Sequence, residues 1–243
     1  FLGPPPVFSP LPLSTPFSLS SALPPLSSSI SSISIHPSIH PIIHQDQYER
    51  VLLNVLVLPD RPVASYLTPL TGITRQDVER RGVPLPQALA SLRAALPRTA
   101  VLVGQNIMQD VRWLGLREGA DFAALADLQG LFRVWNPRYK TYSVWAQDHL
   151  AATLLGWPAA GEGITHDAAA DAAKSMRLFA LLGELRRNRA GKAESDAAWR
   201  LAEERLLASE PAPSFAKRHP SFEGVCMGGR KTCTCGAAFL GGF

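Results

Sequence analysis

The amino-acid sequence predicts a mixed α/β domain, and three observations carry that expectation. Val51-Leu52-Leu53-Asn54-Val55-Leu56-Val57-Leu58 is a β-rich apolar run closed by Pro59-Asp60, the pattern of a strand and its end. Thr99-Ala100-Val101-Leu102-Val103 is a shorter apolar run of the kind that forms a buried parallel strand. Stretches with apolar residues at three- and four-residue steps fall between and after these runs, and strands alternating with helices define the class.

Taken in order, residues 1–45 are dominated by Pro, Ser, Leu and Ile and contain no Asp, Glu, Lys or Arg, a composition expected of a disordered segment. Abundant serine without acids also resembles an organelle transit peptide, but the arginine such peptides carry is missing. His36, His40 and His44 recur every fourth residue, yet Pro37 and Pro41 oppose the helix that would align them for a metal, so they read as low complexity. The chain opens on Phe1 rather than Met, as a fragment, a processed form or a misread gene start does.

The folded part is expected from residue 46 to 190, its first strand beginning soon after Tyr48. Pro62-Val63-Ala64-Ser65-Tyr66-Leu67 reads as a second strand, joined to Val51–Leu58 by a tight turn and so antiparallel to it. Thr74-Arg75-Gln76-Asp77 opens a helix, and Leu85, Leu89, Leu92 and Leu96 line one face of another. That helix crosses over to the Thr99–Val103 strand. Asn106 then stands as N-cap of a helix over Ile107–Leu116, and a short strand is placed at Leu125-Ala126-Asp127-Leu128. Helices follow at Ala146–Leu155, closed by Gly156, and from Asp167 to about Arg187. Residues 191–243 form a helical extension, amphipathic over Ala193–Ala208, and then an irregular tail beyond Pro211 and Pro213.

With 243 residues and 46% apolar content the chain can bury one good-sized core. Its formal charge of +4 is compatible with a polyanionic partner but too small to require one. Arg186, Arg187, Arg189 and Lys192 cluster as a solvated helix end would, or as a phosphate-contacting patch. No apolar run is long enough to span a bilayer, so a soluble, intracellular protein of nucleus or cytoplasm is expected, without a membrane partner. The three cysteines, Cys226, Cys233 and Cys235, are too few and too clustered for a secreted disulfide framework. With His219 they offer four zinc ligands, but the spacing matches no common zinc module; neighbouring Arg230 and Lys231 are alternatives for phosphate contact.

Two positions point to chemistry. Asp110 lies one turn into the helix after a buried strand, near the carboxyl edge where open α/β sheets place their sites. Asp171 lies inside the later alanine-rich helix, with His166 five residues earlier, about 140° away around an ideal helix, so His166 must reach any shared site from the loop or first turn. Carboxylates suit Mg²⁺ or Mn²⁺, and an imidazole titrating near ~6.5 suits proton abstraction from metal-bound water.

The segment Val63–Thr74, with its Thr71-Gly72-Ile73-Thr74 turn, resembles the strand and turn before the first crossover helix of eukaryotic RNA exonucleases. Leu102-Val103-Gly104-Gln105-Asn106-Ile107-Met108-Gln109-Asp110-Val111-Arg112-Trp113-Leu114 resembles their second exonuclease motif, and His166-Asp167-Ala168-Ala169-Ala170-Asp171-Ala172 the third. Together these resemble the histidine branch of the DEDD exonuclease superfamily, over roughly Tyr48 to Leu185. The resemblance implies a ribonuclease H-like mixed sheet flanked by helices and a 3′-to-5′ exonuclease, with RNA favoured over DNA as the single-stranded substrate. It further implies two Mg²⁺ or Mn²⁺ ions, Asp110 and Asp171 as metal carboxylates and His166 as general base. Asn106 and Trp113 are then candidates for substrate contact, Tyr142 for base stacking and Asp127 for support of the site.

One departure stands against full activity. The superfamily's first motif is an Asp-x-Glu pair on the opening central strand, and no such pair occurs before Val51. Asp46 and Glu49 are the only acids there, at a spacing that sends them to opposite faces of a strand. Ser28-Ser29-Ile30-Ser31-Ser32-Ile33-Ser34-Ile35 has the β-branched alternation to fill the central position but no carboxylate. The competing expectation is therefore a member that kept the fold for nucleic-acid or protein binding, and a third is a misread opening in front of a natural pair.

Overall fold

In the computed structural model the chain is described over residues 30–35, 41–60, 62–63, 65–158, 167–189 and 193–211. Its centre is a six-stranded sheet. β1 (Ile30–Ile35) pairs antiparallel with β2 (Pro41–Asp46), and β2 pairs antiparallel with β3 (Val51–Leu58). β4 (Val83–Pro84) runs parallel on the outer edge of β3. On the other side of β1 lies β5 (Val101–Gly104), parallel to it, and then β6 (Ala124–Asp127), parallel to β5.

The sheet thus begins at Ile30, upstream of the boundary expected at residue 46. The lack of charge that made residues 1–45 read as low complexity is, for β1 and β2, what a doubly covered strand demands. Ile42, Ile43, Ser31, Ser32, His44 and Gln45 are all buried. The Ile- and Ser-rich stretch without a carboxylate therefore occupies the central position between β2 and β5.

A second correction concerns the partner of β3. Residues 62–67 form no strand among the described positions; the hairpin partner is β2, which precedes it. The turn is fastened by Asp46, whose Oδ1 accepts from the amides of Tyr48 (2.9 Å) and Arg50 (3.0 Å). Glu49 takes positive φ there. Downstream, Pro59 and Pro62 break any ladder, and Ser65 Oγ accepts the Leu67 amide in a local turn instead.

α1 (Thr68–Thr71) is a single turn, and α2 (Arg75–Arg81) begins at the expected Thr74, whose hydroxyl accepts from the Asp77 amide while the Asp77 carboxylate receives the Thr74 amide. This reciprocal capping box satisfies two donors that a helix start leaves open. α3 (Leu85–Ala95) follows, with Ala88 and Leu92 buried, and α4 (Met108–Trp113) follows β5. These helices cover one face of the sheet, where Ile42, Val57, Leu92, Leu96, Leu102, Ile107, Leu114 and Phe122 form one core.

The opposite face is built later in the chain. α5 (Leu128–Leu131) leads into a hairpin of β7 (Val134–Asn136) and β8 (Thr141–Ser143), which forms its own two-stranded sheet. α6 (Gln147–Leu155) ends at Gly156, whose φ of 66° is the left-handed conformation that glycine adopts without strain. α7 (Ala168–Arg189) lies across β1, β2 and β5, and α8 (Ala193–Ala208) packs on α7 and α6. Val101, Val103, Ala126, Phe132, Val134, Leu150, Leu178 and Leu182 make this second core. β5 therefore feeds both layers, Leu102 one way and Val101 and Val103 the other, as the two-residue period requires. No helix among the described residues is long and apolar enough to cross a membrane.

Candidate active site at the carboxyl edge of the sheet

The parallel pairing of β5 with β6 brings Gly104 opposite Asp127, so both strands end at the same edge. Asn106 follows with a φ of 53°, a conformation asparagine tolerates better than most residues. Its amide is thereby turned toward Asp127 Oδ1, at 2.9 Å, and the same oxygen accepts the Gln129 amide at 3.0 Å as N-cap of α5. Asn106 is therefore not the expected N-cap of α4: Ile107 precedes that helix, with no side-chain capping bond. Asn106 instead anchors the turn through its backbone and leaves its side chain exposed.

Asp110 lies in the first turn of α4. Burial, and then the negative charge of Asp127, push its carboxyl up to about 7. The two carboxyl charges repel one another here. The partners of Gln105 complete the edge: its Nε2 donates to the Trp145 carbonyl at 2.8 Å, fixing the exit of β8 beside the turn that leads to Asp110. Trp113, at the end of α4, is partly exposed.

Asp171 stands in the first turn of α7. Its Oδ1 is 2.8 Å from Lys174 Nζ, and the same ammonium is 2.6 Å from Asp148 Oδ1. Lys174 is only 8% exposed. Burial opposes its charge, but Asp171 and Asp148 outweigh burial and hold the ammonium above the ordinary lysine value. Gln147 Nε2 ties the layers together by donating to the Asp171 carbonyl at 2.7 Å and reaching Ser175 Oγ at 2.6 Å. Lys174 and Asp148 were not anticipated from sequence, although a cation three residues after Asp171 shares its helix face.

The only acids ahead of Val51 are engaged elsewhere. Asp46 closes the β2–β3 turn and pairs with Arg50, and Glu49 holds Arg177 through both its oxygens at 2.7 and 2.9 Å. On β1 the hydroxyl of Ser32 is fully buried and, among the described residues, without a partner; its cross-strand neighbour Gln45 donates Nε2 to the Ala169 carbonyl of α7 at 3.0 Å, and its Oε1 has no partner among those residues. His44 is a core residue of β2, both ring nitrogens without a partner among the described residues and its pKa lowered by burial. His166, His36, His40, His219 and the three cysteines lie outside the described residues.

Whether these groups suit divalent ions can be judged by their chemistry. Oxygen donors fit Mg²⁺ or Mn²⁺ in kind, and the mutually repelling Asp110–Asp127 pair fits one cation. At Asp171 the positive charge is already supplied by Lys174, so an ion there must displace an ammonium. Among the described residues no group of three or more His, Cys, Asp and Glu side chains is placed to hold a metal.

The chain is 31% identical over 134 residues to "Small RNA degrading nuclease 3" of Arabidopsis thaliana, which covers 55% of this chain and 16% of that protein. It is 29% identical over 139 residues to "Small RNA degrading nuclease 2" of the same plant, covering 55% of this chain and 28% of that one. In fold it resembles the catalytic unit (protease and nuclease domain) of Neurospora crassa Pan2, with a TM-score of 0.57, 17% identity, and coverage of 79% of this chain and 31% of that one. The fold is that of the Pan2 exonuclease modules, a ribonuclease H-like mixed sheet, and the sequence is similar to those of small RNA degrading nucleases. The Pan2 exonuclease module of Saccharomyces cerevisiae, solved in complex with A7 RNA, gives the same TM-score of 0.57 at 16% identity, over 79% of this chain and 32% of that one. No protein-family model matches the chain. The chain spans well under half the length of each of these relatives, and its central strand β1 reads Ile-Ser-Ser-Ile-Ser-Ile, without an acidic residue.

Proposed function

We propose that this domain shortens single-stranded RNA from its 3′ end. The observation that carries the reading is Asp110, a half-buried carboxyl near the carboxyl edge of the sheet, raised to about 7 by burial and the charge of Asp127, in a chain whose relatives include RNA-degrading nucleases. Asp110 and Asp171 serve as the metal-facing carboxylates, and His166 accepts the proton of the attacking water. Asp127 fixes the Asn106 turn and loads negative charge beside Asp110; Asn106 and Trp113 border the path of the terminal nucleotide. Bound Mg²⁺ or Mn²⁺, two ions in the full arrangement, supplies positive charge against the scissile phosphate. The test is shortening of a 5′-labelled single-stranded RNA in Mg²⁺ or Mn²⁺. Loss of the ladder in Asp110→Asn, Asp171→Asn and His166→Ala is expected; shortening that survives all three ends the reading.

A second reading has its own observation. β1 offers buried serines where the superfamily has carboxylates, and Lys174 already neutralises Asp171. A domain so built holds RNA without cutting it. RNA binding with no shortening in either metal selects this reading.

A further inference from the structure

The β7–β8 hairpin carries a surface that the chemistry at Asp110 does not use. Between Asp127 and Asp148 the sequence has no Asp or Glu but has Arg133, Arg138 and Lys140. Trp135 and Tyr142 are cross-strand partners, so their side chains share one face, and their rings meet edge to face at 5.4 Å. They are 50% and 44% exposed, and Tyr139 at the turn is 64% exposed. The Arg133 guanidinium lies 4.9 Å over Tyr142 and that of Arg138 5.4 Å over Tyr139. Val134, on the opposite face, is buried in the second core. The hairpin is anchored on one side and presents aromatic rings and cations on the other.

Rigidity supports a binding role over a mere turn. Asn136 Nδ2 donates to Ser143 Oγ at 3.0 Å across the strands, and Asn136 Oδ1 accepts the Arg138 amide at 3.1 Å. The bond from Gln105 to Trp145 sets the end of the hairpin beside the loop that leads to Asp110. Exposed rings interleaved with cations, on a hairpin that itself carries no acid, complement a ligand that has π-faces and a phosphate backbone. Unpaired nucleotides offer both, whereas a duplex hides its base faces.

We propose that the β7–β8 hairpin is a stacking platform for unpaired nucleotides of RNA, which it delivers toward the Asp110 edge. The proposal rests on the RNA reading above, and binding can be separated from cleavage. The 243-residue chain in EDTA is titrated against short 5′-labelled oligoadenylate and oligouridylate, with a duplex RNA as competitor, by fluorescence anisotropy. Tyr139→Ala/Tyr142→Ala is expected to weaken binding about tenfold or more, since each base–ring stack contributes ~1–3 kcal/mol. Tyr139→Phe/Tyr142→Phe keeps the rings and retains binding. In Arg133→Ala/Arg138→Ala/Lys140→Ala the slope of log K against log salt flattens by about two, at ~0.7 per single-strand phosphate contact. Duplex RNA competes poorly. Wild-type affinity in the Tyr-to-Ala variant, with its melting curve unchanged, overturns the platform while leaving the RNA reading intact. A wild-type chain that neither binds nor shortens RNA overturns both, and the exposed rings then serve a protein partner.

Discussion

Asp110 links the chemistry of the site to the stability of the fold. Its carboxyl titrates at about 7 in the folded protein, against ~4 in an unfolded chain. The folded state therefore holds more protons between those limits, and stability falls as pH rises through that window. The cost of ionising Asp110 above pH ~7 is at most about 4 kcal/mol. Asp110→Asn should remove the slope, so thermal melts of the variant and the wild type should converge near pH ~4 and separate in the variant's favour near pH ~8. Metal-dependent shortening should depend on one ionisation with a midpoint near or below 7, because the ion needs the carboxylate. Lys174 gives the complementary case. Removing it by Lys174→Met leaves two carboxylates facing each other where one buried ammonium stood, a loss of ~3–5 kcal/mol. Added Mg²⁺ or Mn²⁺ should restore much of the melting temperature of the variant and change that of the wild type less; an equal response in both would show that Lys174 does not stand in the ion's place. Sequence pattern shows that a lysine follows Asp171 by three residues, but not that it is buried between two aspartates, because Asp148 arrives from a different helix.

At the scale of elements, legibility followed amphipathicity. α3 was readable because one face alone is apolar, and it is Leu92, on that face, that is fully buried; Leu92→Ala should cost about 2–5 kcal/mol in chemical denaturation, where a loss under ~1 would show that the site collapses. The start of α2 was readable because a Thr and an Asp three residues apart satisfy each other locally. The partner of β3 was not, since two apolar runs flank it and only the proline-broken one lies immediately downstream. β1 was recognisable as a strand able to fill the central position, but the start of the ordered domain was not, because an uncharged Ser- and Ile-rich stretch looks the same whether two layers cover it or none does. Ser32 is where this matters for function. Ser32→Asp buries a carboxylate on the α7 side of the central strand, so it should lower the melting temperature in EDTA and recover in Mn²⁺ if the site accepts the ion. No recovery would show that β1 has closed to metal.

Taken whole, the molecule is held together by α7. This helix covers β1, β2 and β5, receives Gln45 and Gln147 at its first turns, and grips the β2–β3 turn through Arg177 and Glu49. The Arg177–Glu49 pair is half exposed, so Arg177→Ala should cost no more than ~1 kcal/mol, far less than loss of Lys174, in the same denaturation experiment. The fold class was legible because strand and helix periods alternate along the chain. The meeting of Asp110 with Asp127 was less so, since it depends on the register of β5 and β6, which pattern alone does not set. Of the hairpin surface only Tyr142 was singled out from sequence, and only pairing shows that Trp135 and Tyr142 look outward together. The lysine between Asp148 and Asp171 has one more consequence. A cation carried on the chain cannot dissociate on dilution or be stripped by a chelator, so this part of the architecture stays folded when magnesium is scarce, and the proposed β7–β8 platform would persist under conditions in which the proposed cleavage could not proceed.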